Sequence, residues 1–512
     1  MAVKKALVAH PGKAAEQDRK HVDPAVSGLL LLTVLMFVVR LYAAKTVGFG
    51  DSEALYACYA LHPQAAYIDH PGLIGVLASS VGGGTIPSPL AAHVATAMLA
   101  STFPWLIVGV ARRLGAAQRR AAIAGLVVAA TPEIGIGLFA LTPDLLLAYL
   151  WLAAVGLGAL ALRSEPNSLR AAALFSVTGV IAGLAATAKV TGVFLLPALV
   201  LAVVGDGRHR RTVWPWVGLL TGIAPIGAVV QFEVARGFPM LRHRFIDTQS
   251  GAGVSLRNLG ALIGGQLLYL SPIIAIVAIL VARDLVRQRR EDATSRLLFW
   301  TFVLPLGPLV VLGLWSRVAE PHWLAPPLLA LPLFAATHPP TFSRKWTGAA
   351  VATGLVVVFG VHAWILSPSL VRLAPKSYDA KVDISNELLG WPQATRSIGE
   401  LIEDADAVAG QHLDTWVVGP SWMVCAQLQA NAPLSRVGCA TPGKTDFDDW
   451  TSRATWEHAD AIVFVTDDRM PIDPATVVPG FHTERTQRVT ILRGGHIART
   501  FRLTLLQKRV GV

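Results

Sequence analysis

Apolar runs close to the length of a membrane-spanning helix recur along this sequence, at residues 26–44, 88–111, 121–141, 143–162, 170–188, 191–205, 213–235, 259–282, 297–314, 323–337 and 346–366. A helix rises 1.5 Å per residue, so roughly 20 apolar residues cross the hydrocarbon core of a bilayer. The runs predict an all-α polytopic membrane protein of about eleven transmembrane helices. The shorter run at 71–81 reads as an interfacial or re-entrant piece. Composition agrees, with 53% hydrophobic and only 15% charged residues, against roughly 25% charged in soluble domains. A soluble enzyme is excluded, and the 45 Gly and 32 Pro belong inside membrane helices rather than in a disordered tract.

The formal charge of +11 is carried by short basic clusters between apolar runs, which orient a chain in a membrane and argue against nucleic acid as a partner. Lys4, Lys5, Lys13, Arg19 and Lys20, then Arg112, Arg113, Arg119 and Arg120, then Arg163 and Arg170, then Arg208, Arg210 and Arg211 occupy alternate connections. Arg283, Arg287, Arg289, Arg290 and Arg296, and finally Arg344 and Lys345, continue the series. These connections are expected in the cytoplasm, and the poorer ones, with Lys45, Lys189, Arg236, Arg242, Arg244, Arg257 and Arg317, outside. Residues 1–25 read as a cytoplasmic tail without a cleavage pattern, so the first span is expected to stay as an anchor. Residues 26–366 form the membrane domain. With an odd number of spans, residues 367–512 fall on the outer face. They are richer in acids and carry strand-like runs at 415–418, 461–466 and 501–506, which predicts an extracytoplasmic α/β domain. Cys425 and Cys439 lie there, and a bridge or two buried thiols are both open; the third cysteine is Cys58.

Ionisable side chains cost at least ~2.5 kcal/mol each inside a bilayer, so the places that keep them are informative. They gather at the outer boundary: Asp51 and Glu53, Asp69-His70-Pro71, Glu133, Thr142-Pro143-Asp144 and Glu320-Pro321-His322-Trp323, faced by Arg40, Lys45, His70, Lys189, Arg242, His243 and Arg244. Carboxylates beside cations at a membrane surface can deprotonate a hydroxyl while holding a phosphate leaving group. Each residue also has a plain structural reading: Asp51, Glu53 and Asp144 as helix-start charges, Lys189 as a snorkelling anchor, His322 with Trp323 as an interfacial anchor. Trp422 and Trp450 are either core or sugar-stacking platforms.

The order of these elements resembles the glycosyltransferase C (GT-C) superfamily, and within it the bacterial relatives of the dolichyl-phosphate-mannose protein mannosyltransferases and of the aminoarabinose transferase of lipid A. The likeness runs through Gly50-Asp51-Ser52-Glu53-Ala54-Leu55-Tyr56, Tyr67-Ile68-Asp69-His70-Pro71-Gly72, Thr142-Pro143-Asp144, Gly183-Leu184-Ala185 leading to Lys189, Gly264-Gly265-Gln266 with Ser271-Pro272, and Glu320-Pro321-His322-Trp323. It implies a GT-C membrane catalytic domain that moves a sugar from a polyprenyl-phosphate carrier to an acceptor hydroxyl on a lipid, glycan or protein. The transfer would invert the anomeric carbon at the periplasmic face of a bacterial inner membrane. Asp51, Glu53 and Asp144 would be catalytic, with Asp51 the general base. Lys189, His70, Arg242 and Arg244 would hold the donor phosphate, and Asp69, Tyr67, Gln266, His322 and Trp323 would line the substrate. No cofactor is firmly implied, and a divalent metal is left open. Relatives place the two acids side by side, whereas Ser52 separates them here; gap-free alignment from Asp69 puts Ser52 at the acid position. Gln231-Phe232-Glu233 stands where relatives tend to have Gln-Trp-Asn. The alternative from another class is a multi-span transporter or lipid flippase, which would place its polar groups near mid-membrane on broken helices.

Overall fold

The computed structural model describes residues 23–249, 251–316, 320–339, 342–431 and 436–508. The expected N-terminal tail and Arg317 lie outside them, apart from residues 23–25. In chain order the helices of the membrane part are α1 Pro24–Thr46, α2 Asp51–Cys58, α3 Leu73–Gly82, α4 Pro89–Arg113, α5 Gln118–Ala130, α6 Pro132–Gly135, α7 Pro143–Arg163, α8 Leu169–Ala188 and α9 Leu195–Val204. They continue with α10 Trp214–Ala235, α11 Pro239–Phe245, α12 Leu256–Gly264, α13 Gln266–Tyr269, α14 Pro272–Gln288, α15 Ala293–Trp315, α16 Ala325–Leu328, α17 Ala330–Thr337 and α18 Arg344–Leu366. Among the described residues seven helices (α1, α4, α7, α8, α10, α15 and α18) are long and apolar enough to cross a membrane. Two bent pairs, Gln118–Ala130 with Pro132–Phe139 (74°) and Leu256–Tyr269 with Pro272–Gln288 (107°), raise this to as many as nine. The remaining sequence runs, 191–205 and 323–337, form shorter helical pieces, and 71–81 becomes the short apolar α3.

Helix starts follow the expected chemistry. Asp23 accepts from the Ala25 N–H ahead of Pro24, Ser88 caps α4 ahead of Pro89, and Asp292 caps α15 through the N–H groups of Thr294 and Ser295, each satisfying donors that the first turn leaves unpaired. Tight packing rests on small residues. A Cβ on Gly179 or Gly183 of α8 would collide with the carbonyl oxygens of Gly218 or Gly222 in α10, so the two backbones meet directly, as small-residue pairs allow in membranes.

Beyond residue 367 the chain folds into a five-stranded sheet of order β2-β1-β3-β5-β4, with β1 Thr415–Gly419, β2 Val437–Cys439, β3 Ala461–Asp467, β4 Phe481–Arg493 and β5 His496–Lys508. β1 runs parallel to β2 and β3, and β5 antiparallel to β3 and β4. Gly494 and Gly495, at φ 60° and 88°, supply the left-handed pair that a two-residue β4–β5 turn needs. Helices α19 Trp391–Ala409, α20 Trp422–Asn431 and α21 Asp446–Trp450 complete the parts of the domain that bear on the site. A disulfide joins Cys425 to Cys439; the Cys58 thiol is buried. The domain docks on the bundle through a shared core in which Phe49, Leu55, Tyr59 and Ile74 meet Cys425, Ala426 and Phe447.

Candidate active site

Helix direction decides which end of the bundle carries the site. Asp144 opens α7 and Lys189 follows the last residue of α8, while Arg163 closes α7 and Arg170 opens α8. Arg112 and Arg113 close α4, Arg287 lies in the last turn of α14, and Arg344 opens α18. The acids and Lys189 therefore share one end and the arginine clusters the other, as the loop charges predicted.

At the acidic end a cavity of about 550 Å³ is lined by Asp69, His70, Glu133, Asp144, Lys189, His243, Arg244, Glu320, His322 and Trp323, with Ser52, Tyr56 and Tyr269. This falls within the ~300–1,000 Å³ range of small-molecule sites. Trp422 of the C-terminal domain also lines it, so the domain closes the site. Trp450 does not, and stacks on His62 at 4.3 Å instead.

Two ion clusters dominate the cavity. Lys189 Nζ donates to both Asp144 oxygens at 2.7 and 2.9 Å, and His322 Nε2 lies 4.0 Å from Asp144 with its Nδ1 3.3 Å from Glu320. An ammonium has three protons, so one is left for a ligand. In the second cluster Arg244 donates through Nε and Nη2 to the Asp69 carbonyl oxygen at 3.2 and 3.0 Å. His243 Nε2 lies 3.4 Å and Arg244 Nη2 3.5 Å from the Asp69 carboxylate. Burial pushes that carboxyl up, but the hydrogen bond from His243 and the Arg244 charge outweigh it and bring it down to about 2. His70 is not the cation that the sequence suggested: burial and the adjacent Arg244 charge lower its imidazole to about 3. Its Nε2 faces Arg244 Nη2 at 3.3 Å and so acts as acceptor, which leaves the buried Nδ1, without a partner among the described residues, as the N–H donor.

The surroundings position these groups. Glu233, buried in α10, accepts from the N–H groups of Met240 and Leu241 and caps α11, the helix that carries His243 and Arg244. That is the role of the acid at the Gln-Phe-Glu departure. Asp446 of α21 accepts from the Ile68 N–H at 2.9 Å and the Tyr59 hydroxyl at 3.0 Å, fixing the loop before Asp69 to the C-terminal domain. Burial raises the Asp446 carboxyl to about 7.

Five residues expected in the site stand outside the cavity lining. Asp51 turns to the C-terminal domain, taking a hydrogen bond from Gln427 Nε2 at 3.0 Å and lying 3.7 Å from Arg469, which also pairs with Glu387 at 2.8 Å. Ser52, the next residue, faces the cavity in its place, because one step along a helix turns the side chain by about 100°. Glu53 is buried against His93 Nε2 at 3.1 Å and accepts from the N–H groups of Gly50 and Leu141, so it pins the segment that leads to Asp144. Burial opposes its ionisation, yet His93 and the two N–H groups hold its carboxyl below the usual range. Tyr67 stacks on Tyr59 at 3.5 Å with its hydroxyl on the His62 carbonyl oxygen, Gln266 donates to the Pro321 carbonyl oxygen, and Arg242 is exposed. Arg40 likewise serves structure, donating to Ser101 and to the Gly135 carbonyl oxygen. Ser52, Tyr56, Tyr269 and the cavity-facing position of Glu133 were not singled out from sequence; the Ser52 alignment was the available signal for the first.

An apolar groove of about 360 Å³ opens beside the cavity and shares Glu133, Ile134, Ala325 and Leu329 with it. It runs the length of α5 past Ile123, Val127, Ile274 and Val281 to Arg119, Arg120 and Arg344. No group of three or more His, Cys, Asp or Glu among the described residues is arranged to hold a metal ion.

The fold is that of a GT-C membrane protein, a helical bundle bearing a polar cavity at one end under a small α/β domain. The chain superposes on the crystal structure of ArnT from Cupriavidus metallidurans bound to undecaprenyl phosphate with a TM-score of 0.61, at 14% identity, covering 93% of this chain and 98% of that one. Against ArnT in the apo state the TM-score is 0.58 at 15% identity, with 94% and 98% covered. Residues 86–231 match the family described as dolichyl-phosphate-mannose-protein mannosyltransferase. None of the curated protein sequences matches the chain.

Proposed function

We propose that this integral membrane protein is an inverting glycosyltransferase that moves a sugar from a polyprenyl-phosphate carrier to an acceptor hydroxyl of a lipid, glycan or protein. The observation that carries this reading is the union of one polar cavity, lined by Lys189, Arg244 and His70, with an apolar groove that leads from it along the bundle. A polyprenyl phosphate has the same two parts, an anionic head and a long apolar tail. The unspent proton of Lys189 and the Arg244 Nη1 donors hold the phosphate. Charge builds on that phosphate as the sugar leaves, and fixed donors in a site shielded from water stabilise it. Undecaprenyl phosphate in ArnT supports the same carrier class here. The site faces the periplasm of a bacterial inner membrane, a reading supported by the arginine clusters at the opposite end and by a disulfide in the domain beside the site, which fits an oxidising compartment.

The test is mass spectrometry of envelope lipids, glycans and proteins from a strain lacking the gene. One molecule is expected to lose a sugar, restored by the wild-type chain and not by Lys189→Ala. An unchanged envelope, with the carrier-linked sugars at normal levels, contradicts the proposal.

A further inference from the structure

We infer that Glu133 is the proton acceptor of the transfer, an inference that rests on the glycosyl-transfer reading above. Four carboxylates line the cavity: Asp69, Glu133, Asp144 and Glu320. Two of them are held by cations and a third is open to solvent. Asp144 is held at both oxygens by Lys189, Asp69 lies between His243 and Arg244, and Glu320 faces His322 at 3.3 Å with a half-exposed side chain. A carboxylate held by a cation has little affinity for a proton. Asp51 is tied to Gln427 and Arg469, away from the cavity.

Glu133 has no hydrogen bond or ion pair among the described residues. It stands where the polar cavity meets the apolar groove and lines both, and Asp144 and Lys189 lie within electrostatic reach of it. Its backbone is fixed. Pro132 opens the short turn α6, Thr131 O accepts from Ile134 N and Gly135 N, and buried Arg40 donates to the Gly135 carbonyl oxygen at 2.8 Å. A Cβ on Gly135 would press on Val358, so α18 packs directly against this turn. The side chain is thus carried on a rigid support, with no partner among the described residues.

In the step, the acceptor oxygen forms its bond to the anomeric carbon as its proton passes to the Glu133 carboxylate. The bond from the anomeric carbon to the phosphate oxygen breaks, and its electron pair leaves on the polyprenyl phosphate, beside Lys189 and Arg244. Glu133 then returns the proton to solvent.

Two readouts on the purified full chain separate this role from folding and from carrier binding. The first is binding of undecaprenyl phosphate by native mass spectrometry. The second is release of undecaprenyl phosphate from a set of undecaprenyl-phosphate-linked hexoses and pentoses, with an envelope extract supplying acceptors. Glu133→Gln is expected to bind within about threefold of wild type while release falls at least ~100-fold, the scale of general-base catalysis. Glu133→Asp recovers part of the release, and formate restores Glu133→Ala at least about tenfold. Release by Glu133→Gln within about threefold of wild type overturns the assignment, as does loss of carrier binding in that variant or a Glu133→Ala protein that formate does not rescue. A wild-type chain that neither binds nor releases undecaprenyl phosphate overturns the glycosyl-transfer reading, and the inference falls with it.

Discussion

Lys189 sits at a break between helices, just after the last turn of α8, with its side chain only 9% exposed and bonded to both oxygens of Asp144. Removing the ammonium leaves Asp144 without its main cation and the phosphate without a donor. Lys189→Met is therefore expected to lower transfer at least ~100-fold, the usual loss for one electrostatic donor, with weakened undecaprenyl phosphate binding by native mass spectrometry. Asp51→Asn should behave differently. It retains the hydrogen bond to Gln427 in form and gives up the longer ion pair with Arg469, so a thermal melt should fall by a few degrees, about 1 kcal/mol, while transfer stays within about threefold. Loss of transfer with an unchanged melting temperature would restore Asp51 as the base. At this scale Asp69, Asp144, Lys189 and Arg244 were legible in the sequence, because each is an ionisable residue at a membrane boundary where a bilayer tolerates few. Asp51 against Ser52 was not, since a single residue step rotates a side chain by about 100° and only the packing of α2 against α20 decides which of the two meets the cavity.

Among the elements, the α8–α10 contact depends on glycines that let two backbones touch. Gly179→Leu forces them apart and should cost at least ~1–3 kcal/mol, as overpacking does, read as a lower melting temperature and loss of protein extractable in folded form; unchanged stability would show the helices free to separate. The docking of α21 on the loop before Asp69 depends on pH. Asp446 has an ordinary carboxyl pKa of about 3.9 when unfolded and about 7 in the folded protein, raised by burial and by the charges of Asp69 and Asp449. The folded state thus binds the extra proton, and the stability this group contributes is complete below about pH 3.9 and is lost as pH rises through about 7. Melts at pH 5 and pH 8 should differ less in Asp446→Asn than in wild type, and an equal difference would place the titration elsewhere. The seven long helices and three of the strands were legible from run length and strand-like composition. The bends at Pro132 and Ser271 were not, because hydropathy is continuous across both and the turn is set by tertiary contacts such as Arg40 on the Gly135 carbonyl oxygen.

For the whole molecule, charge placement along the chain already separated an arginine end from an acidic end, and the bundle preserves that division. The acids and Lys189 sit at one end under a folded domain, not at mid-bundle where the transporter alternative would have placed them. What the sequence could not supply was depth: Glu53, Tyr67 and Gln266 share the same boundary as the site yet are spent on holding it together, a distinction that only packing makes. The most direct measurement is of carrier release. Purified chain in proteoliposomes, given undecaprenyl-phosphate-linked sugars and an envelope extract, should free undecaprenyl phosphate as the sugar appears on a new product, and Lys189→Met should not. Carrier-linked sugar that stays intact with the wild-type chain, or is consumed equally by the variant, would contradict the account.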